Sequence, residues 1–538
     1  MTYLKKAGAC ASAVQRSEKH MSLHEADRLY EEELKTLQTD EAQEADDLGQ
    51  YKDADEQKMQ RLIQFLDENG VLYPSLEIRI VNGLRGVYAT EKILEGEVVL
   101  HVPRRAMVTT EVAKASNVGR RIQASRRWLS PYGYLAAFLL ETKREGGFWK
   151  PYFDVVPSKF PGMPLFYDQK HLEMLKGTHI WQQFIDAKAL MFDDYKVVKD
   201  FLPGLTLHEF ALARMAVTTR VYKLMIDGYE TLGMVPLADM LNHTSPSPTH
   251  WTGRATHGFT IMALTDLQAG GEILESYGKR SNGRWLMSHG LCMEVNPDNL
   301  VEFDLPEIRK KHPFFNATRK LGWVSRKQRH FLVTNDYDSD DVRHMFSYLR
   351  LANCTDIERT RKAVVELGRV DPEEDDSAKA SKKNRQKKAK DQSKVHPISV
   401  RNEIAALRML VAATERAFER YTTTLEQDEQ ALKDPDLAWT MRFATMAAVS
   451  EKRLLKFYLD MARTAIGVLE SSPFRLARAV GEQVRKGKPY EKYFRHLQEH
   501  LDVFSPFWHV SRLPTKKHRP AVHRKQEHGR KTTHGAFA

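Results

Sequence analysis

The chain is poor in cysteine and has no long apolar run. Cys10, Cys292 and Cys354 stand far apart among 538 residues, which excludes a disulfide framework and fits a reducing compartment. No stretch approaches the roughly 18 consecutive apolar residues that a bilayer-spanning helix needs, so no membrane segment is expected. Met1 to His20 carries Lys5, Lys6 and Arg16 with no acid before Glu18. It is too weakly apolar for a secretory signal, and an organellar transit peptide stays open beside a cytoplasmic or nuclear location. No internal repeat stands out. The composition, 42% hydrophobic and 28% charged, is that of an ordinary soluble protein long enough for two or three domains.

The net charge of +11 is unevenly placed. Much of the excess lies in Lys379 to Lys394 and Lys516 to Lys531, both poor in apolar residues. Such runs read as solvated segments, and nucleic acid is not the expected partner. A nucleic-acid grip is the competing reading, and it predicts binding that weakens steeply with salt.

The stretch from Gly233 to Gly290 organises the rest. It holds Pro-Leu-Ala-Asp-Met-Leu-Asn-His from Pro236 to His243, then Glu272-Ile-Leu-Glu-Ser-Tyr-Gly ending at Gly278. Between them Phe259, Ile261 and Ala263 alternate as in a half-buried strand, and Gln268-Ala-Gly-Gly signals a turn before a second strand through Ile273 and Leu274. The expected layout is a polar Asn-His loop, a hairpin, and a tyrosine at a strand end. Upstream, Leu76, Ile78 and Ile80 alternate, as do Val87 and Ala89, and predict another hairpin. Val98 to Pro103 predicts a further strand. Arg61 to Gly70 reads as a short helix with Leu62, Phe65 and Leu66 on one face and Gly70 as its stop. Tyr134 to Glu141 and Glu209 to Val217 are the clearest helices between Thr110 and Tyr222. After Phe303 the pattern is helical to the end, with Ile404, Leu407, Leu410 and Val411, then Leu454, Phe457, Tyr458 and Met461, at helical spacing. Thr424-Leu-Glu-Gln427 fits a capping box. The fold class is therefore α+β.

Asn242-His243 followed by Tyr277-Gly278 resembles the SET-domain methyltransferases, in the branch typified by the plant Rubisco large-subunit methyltransferase. Gly83-Leu-Arg-Gly-Val-Tyr-Ala89 resembles that family's Gly-rich cofactor loop, and Thr218-Thr-Arg220-Val-Tyr222 the arginine segment before the Asn-His loop. Tyr421-Thr-Thr-Thr-Leu-Glu-Gln-Asp-Glu429 resembles a signature of the branch's helical substrate-binding domain. The resemblance implies a SET domain over 61–305 with a helical insert at about 110–222. It implies a C-terminal helical substrate-binding domain over 306–513, and the long polar segment at 371–397 within it, too poor in apolar residues to pack a core, reads as a basic disordered insertion. An acidic extension at 1–60, helical or disordered, and a basic disordered tail at 514–538 complete the expected organisation. The three dispersed cysteines exclude the Cys-rich zinc clusters that flank many SET domains.

The implied activity is methyl transfer from S-adenosylmethionine (AdoMet) to a lysine of a protein substrate, by a monomer. A lysine amine has an ordinary pKa of about 10.4, so keeping it neutral near pH 7 costs roughly 4.6 kcal/mol. Desolvation and the sulfonium charge favour the neutral amine, which predicts a narrow aromatic channel without a carboxylate close to the reacting amine. By resemblance Tyr277 is the catalytic tyrosine. The cofactor contacts fall to the backbone of Gly83, Leu84 and Arg85, to Arg220, Asp239 and Asn242, and to His243, His289 and Gly290. Tyr222 and Arg280 flank the acceptor channel. No second histidine or cysteine stands at metal-ligand spacing, and no metal is expected. A branch of the family methylates a histidine of actin, with asparagine where Tyr222 stands and tryptophan where Ala238 stands. Histidine as acceptor is the first alternative, and a non-catalytic SET-fold binding protein is the second. The aromatic segment Phe148-Trp-Lys-Pro-Tyr-Phe153 reads as plain hydrophobic core.

Overall fold

The computed structural model describes residues 51–81, 83–252, 257–308, 310–312, 315, 330–354 and 395–500. The expected extension up to residue 50, the basic insertion up to residue 394 and the basic tail lie outside them. Among the described residues no helix is long and apolar enough to cross a membrane.

The first helix, α1 (Tyr51–Glu68), is one continuous element that begins ten residues before the short helix expected from Arg61. Its apolar face is the expected one, with Leu62, Phe65 and Leu66 buried. Gly70 follows at φ 67, a left-handed conformation that glycine adopts without a Cβ penalty. Strands β1 (Leu76–Val81) and β2 (Leu84–Ala89) form the expected antiparallel hairpin, in register from Leu76 opposite Ala89 to Val81 opposite Leu84. Strand β3 (Val98–Pro103) leads to β4 (Val108–Thr109).

A helical stretch follows, as the periodicity predicts: α2 (Thr110–Ala115), α3 (Asn117–Ala124), α4 (Pro131–Glu145), α5 (Lys150–Phe153), α6 (Gln169–Leu175), α7 (Ile180–Val198) and α8 (Leu207–Thr218). The side chains of Thr109, Ser116, Ser130, Asp168 and Thr206 cap five of these helices by accepting from backbone N–H groups. Thr206 and Glu209 complete a capping box. The chain then returns as β5 (Tyr222–Ile226) and β6 (Tyr229–Met234), and β6 pairs with both β5 and β4. Strands on either side of the helices therefore belong to one sheet, which is what an insert into a β domain requires.

The next segment departs from the expected hairpin. Strands β7 (Asn242–His243), β8 (Thr249–Thr252), β9 (Gly258–Ala263) and β10 (Leu274–Glu275) follow in order. Strand β9 lies between β3 and β8, not beside β10. Strand β10 instead runs parallel to β7, Leu274 opposite Asn242 and Glu275 opposite His243. The Asn-His dipeptide is thus itself a strand, and the turn at Gln268 to Gly271 leads from β9 to β10 without pairing them. Helix α9 (Asn282–His289) and β11 (Val301–Asp304) come next, and β11 pairs with β12 (His330–Val333) inside the region expected to be all helical.

The remaining elements are helices: α10 (Asp340–Ala352), α11 (Val400–Phe418), α12 (Leu425–Ala431), α13 (Trp439–Leu469), α14 (Pro473–Lys486) and α15 (Glu491–Glu499). Thr424 and Gln427 form the predicted capping box on α12. By internal contacts the chain divides into two compact units. The first takes residues up to Leu305, Arg329–Asn335 and Ala412–Leu459, so the middle of the helical region belongs with the SET-like strands. The second takes Pro306–Gln328, Asp336–Val411 and the residues from Asp460.

Within the first unit the Tyr421 stretch is structural. Glu451 accepts from the His179 backbone N–H and contacts His179 Nδ1 at 2.7 Å, and the Tyr421 hydroxyl donates to its other oxygen at 3.0 Å. Lys452 donates to Asp428 at 2.5 Å and to the Thr423 carbonyl at 2.7 Å. Gly177 approaches so closely that a Cβ there would lie 2.5 Å from the Arg420 carbonyl oxygen. Within the second unit a buried Arg350–Glu403 pair, bidentate at 2.8 Å and 2.8 Å, is completed by the Tyr493 hydroxyl at 2.9 Å. Arg350 also donates to the Val395 carbonyl, and Val395 and Pro397 are buried at the end of the stretch expected to be disordered.

Candidate active site

The parallel pairing of β7 with β10 puts Asn242, His243 and Tyr277 side by side. The Tyr277 backbone N–H donates to His243 Nδ1 at 3.1 Å, which leaves the ring proton on Nε2. The Tyr277 hydroxyl donates to the Leu241 carbonyl at 2.5 Å. His243 packs its ring on Trp285 with centroids 4.4 Å apart, and His289 stacks on Tyr277 at 4.8 Å. Burial, with help from the Arg280 charge, pushes the His289 imidazole down to about 3, so it is neutral at physiological pH. Arg280 donates to the Tyr277 carbonyl at 3.1 Å and to Ser288 Oγ at 3.0 Å, which fixes the chain after the tyrosine.

The Asn242 side chain ties the loops together. Its amide donates to the Arg85 carbonyl at 3.1 Å and to Glu272 Oε1 at 2.7 Å. Gly86 permits this approach, since a Cβ there would lie 2.5 Å from Glu272 Oε1. Arg85 in turn donates to the Val155 carbonyl at 2.7 Å.

A one-turn 3-10 segment, Ala238–Met240, precedes Asn242. Leu237 enters it at φ 66, a conformation that strains a residue with a Cβ and clusters at functional sites. Arg220 donates to the Asp239 carbonyl at 2.6 Å and lies 3.5 Å from its carboxylate. Tyr152 donates to Asp239 Oδ2 at 2.6 Å. Tyr222 reaches both Glu275 Oε1 at 2.6 Å and the Ala238 carbonyl at 3.0 Å. Its ring packs against Trp251 and Phe259, at 5.4 Å and 4.8 Å between centroids. Burial raises the Tyr277 phenol far above its ordinary range, with Glu275 adding to the effect, so it stays protonated. Burial also pushes the Glu275 carboxyl up to about 8, against the lowering influence of the Tyr222 hydrogen bond.

Three buried polar atoms in this cluster lack a hydrogen-bond partner: Arg220 Nε, Asp239 Oδ1 and Glu275 Oε2. Orphaned buried groups are rare in folded proteins, and three of them on one connected set of side chains make it a candidate ligand site.

The structure brings Arg85, Arg220, Tyr222, Asp239, Asn242, His243, Tyr277, Arg280 and His289 into one connected set. Gly83 and Leu84 sit at the tip of the β1–β2 hairpin, where Leu84 is exposed. Gly290 caps α9 at φ 68 against the Gly162 backbone. The sequence reading missed three contributors. Tyr152, assigned to plain core, uses its hydroxyl to hold Asp239. Glu272 holds Asn242. Glu275 was legible, because Ile273, Glu275 and Tyr277 alternate onto one side of an extended segment. Two carboxyl groups, Asp239 and Glu275, belong to the cluster, and of these the sequence reading named Asp239 alone.

A β domain split by helices, with an Asn-His strand running beside the strand that delivers a tyrosine, is the architecture of a SET-domain protein. The SET-domain family model matches residues 84–278, and the Rubisco LSMT substrate-binding model matches residues 316–455. The chain therefore carries a SET domain followed by a Rubisco LSMT substrate-binding region. It is 25% identical over 428 residues to an actin-histidine N-methyltransferase from Mus musculus, across 73% of this chain and 66% of the relative. A Gallus gallus protein of the same description is 25% identical over 419 residues, across 73% and 67%. The chain thus spans 66% of the length of the Mus musculus relative it matches. Among solved structures, the SET domain of LSMT bound to lysine and AdoHcy superposes with a TM-score of 0.59 at 19% identity, over 82% of this chain and 98% of the other. Rubisco LSMT bound to AdoMet gives 0.58 at 19%, over 81% and 99%. At that identity the likeness speaks for the fold.

Proposed function

We propose that this chain transfers a methyl group from AdoMet to a side-chain nitrogen of a protein substrate, and that the nitrogen is a lysine amine. The observation that carries the reading is the trio of orphaned atoms around Asn242 and Tyr277. Arg220 Nε is an unpartnered cationic donor and Asp239 Oδ1 an unpartnered anionic acceptor. They suit the carboxylate and ammonium of an amino-acid end. Arg220, Asp239, Asn242 and the Arg85 backbone would hold that end, with His243, His289 and Gly290 toward the adenine. Bound there, AdoMet supplies an electrophilic methyl on a sulfonium sulfur. The protein's own work is positioning. Tyr277, held by the Leu241 carbonyl and packed against the rings of His243 and His289, presents a fixed phenol oxygen.

Three features support lysine. Tyr222 is aromatic where the actin-modifying branch carries an amide, and its ring joins Trp251 and Phe259 in an apolar wall. Ala238 is small where that branch carries tryptophan. Glu275 is uncharged below about pH 8, so it does not pin an incoming ammonium in its charged form. The second reading, histidine, is favoured by the curated relatives, which are described as actin-histidine N-methyltransferases.

The test is to incubate a proteome lacking this enzyme with the full chain and labelled AdoMet, then locate the mark by mass spectrometry. Methyl-lysine is expected, absent with a Tyr277→Phe variant. Methylhistidine on otherwise unmodified substrate overturns the acceptor assignment. Absence of AdoMet binding in calorimetry of the folded chain overturns the enzyme reading and leaves a binding scaffold.

A further inference from the structure

We propose that the C-terminal unit binds a transition-metal ion of the zinc class through His396, His496 and His500. The ligating atoms of these three side chains all lie within 4.8 Å of one another. His496 and His500 are one turn apart at the end of α15, which brings their rings to 4.5 Å between centroids. His396 enters from the segment before α11 and stacks on His500 at 4.5 Å with the planes 19° apart.

Two features make this more than proximity. His500 Nδ1 lies 2.9 Å from the His496 carbonyl, an acceptor only, so Nδ1 carries the proton and Nε2 keeps its lone pair. A metal-binding imidazole is oriented in this way, by a backbone carbonyl on its other nitrogen. His396 is held between anchored neighbours. Val395 donates to Ser347 Oγ at 2.9 Å and accepts from Arg350 at 2.8 Å, while Val395 and Pro397 are buried and His396 is exposed. The third ligand therefore has a fixed backbone and a solvent-facing ring, and the ion can arrive from water.

Three imidazole ligands select borderline ions, zinc, copper or nickel, over magnesium or calcium, which want oxygen. Tetrahedral zinc has bonds of about 2.0–2.1 Å to nitrogen, so its ligands stand roughly 3.4 Å apart. To reach that, the near-parallel His396 and His500 rings must unstack by side-chain rotation so that both lone pairs aim at the ion, and a fourth position is left for water. The bound ion would clamp the end of α15 to the segment that opens α11. The expectation of no second histidine at metal-ligand spacing passed over the i, i+4 pair His496 and His500, and the third ligand, His396, is remote in the chain.

The experiment uses the full chain without a histidine tag, stripped with chelator and titrated with Co²⁺ and then Zn²⁺. One equivalent of cobalt is expected to give the intense ligand-field band of tetrahedral coordination, and zinc to displace it. Saturating zinc is expected to raise the Tm, as any ligand of the folded state does. His496→Gln with His500→Gln is expected to weaken binding by more than about tenfold, the loss seen when even an outer partner is removed, while circular dichroism stays native. His396→Gln alone should weaken binding and turn the cobalt band octahedral. Absence of binding at micromolar metal, or an unchanged equivalent in the folded double variant, overturns the proposal.

Discussion

The Tyr222 hydroxyl and the Glu275 carboxyl lie 2.6 Å apart, both buried, with the Ala238 carbonyl 3.0 Å away on the other side of the same hydroxyl. A phenol has one proton and faces two acceptors. The hydroxyl donates to Glu275 Oε1 when that carboxyl is ionised, and when Glu275 is protonated the same contact closes with Glu275 donating to Tyr222 and Tyr222 donating to Ala238. The carboxyl pushed up to about 8 by burial has that proton at neutral pH.

The folded protein thus holds the Glu275 proton more tightly than the unfolded chain, whose carboxyl titrates near 4.5. The stability tied to this group is complete below about 4.5 and is lost as pH rises through about 8. Glu275→Gln keeps a neutral hydrogen-bonding group of the same shape. The wild-type chain is expected to lose of order a few kcal/mol relative to Glu275→Gln between pH 5 and 9. Denaturant unfolding of both proteins across that range checks it. Parallel curves would mean that Glu275 is ionised throughout.

Tyr277→Phe removes the hydroxyl that donates to Leu241 but leaves the ring stacked on His289 and packed against His243. Turnover is expected to fall by roughly 10² or more, with AdoMet affinity within about twofold of wild type. Single-turnover kinetics and calorimetry separate the two quantities. A fall in affinity with turnover intact would reverse the assignment.

Much of this was legible in the sequence, where a pattern had enough residues to repeat. Leu76, Ile78 and Ile80 announce a strand because period two recurs three times. Thr424 and Gln427 announce a helix start because a capping box is local. The pairing of β7 with β10 was not legible, since two-residue strands have no period and their partners are distant. Lys452 was equally hidden. It stands in Ser-Glu-Lys-Arg, which reads as a solvated face, yet only tertiary packing reveals that it is fully buried against Asp428. The division into units was illegible for a similar reason, because α13 runs unbroken through the boundary at Leu459.

That buried pair gives a stability prediction. Lys452→Met leaves the Asp428 carboxylate without its cation in a dry site, and is expected to destabilise the first unit by about 3–5 kcal/mol. Adding Asp428→Leu removes the stranded charge and should recover much of the loss. A double-mutant cycle by chemical denaturation measures this. Additive losses would mean that the two side chains do not interact across the 2.5 Å contact.

The acceptor choice turns on Tyr222, which does two things at once. Its ring completes an aromatic wall with Trp251 and Phe259, and its hydroxyl relays between Glu275 and Ala238. Tyr222→Phe keeps the wall and strands the Glu275 carboxyl, while Tyr222→Asn loses the wall and supplies an amide. If desolvation by the wall keeps the lysine neutral, Tyr222→Phe should retain methyl-lysine formation within about tenfold and Tyr222→Asn should lose considerably more. The phenylalanine variant should also alter the dependence of kcat/KM on pH near 8, because the partner that lowers the Glu275 pKa is gone. Removing that hydrogen bond raises the carboxyl further, so the neutral acid persists to higher pH. Equal losses in both variants would show that the hydroxyl rather than the ring governs transfer. A gain of methylhistidine in Tyr222→Asn would show that this position discriminates between the two nitrogens.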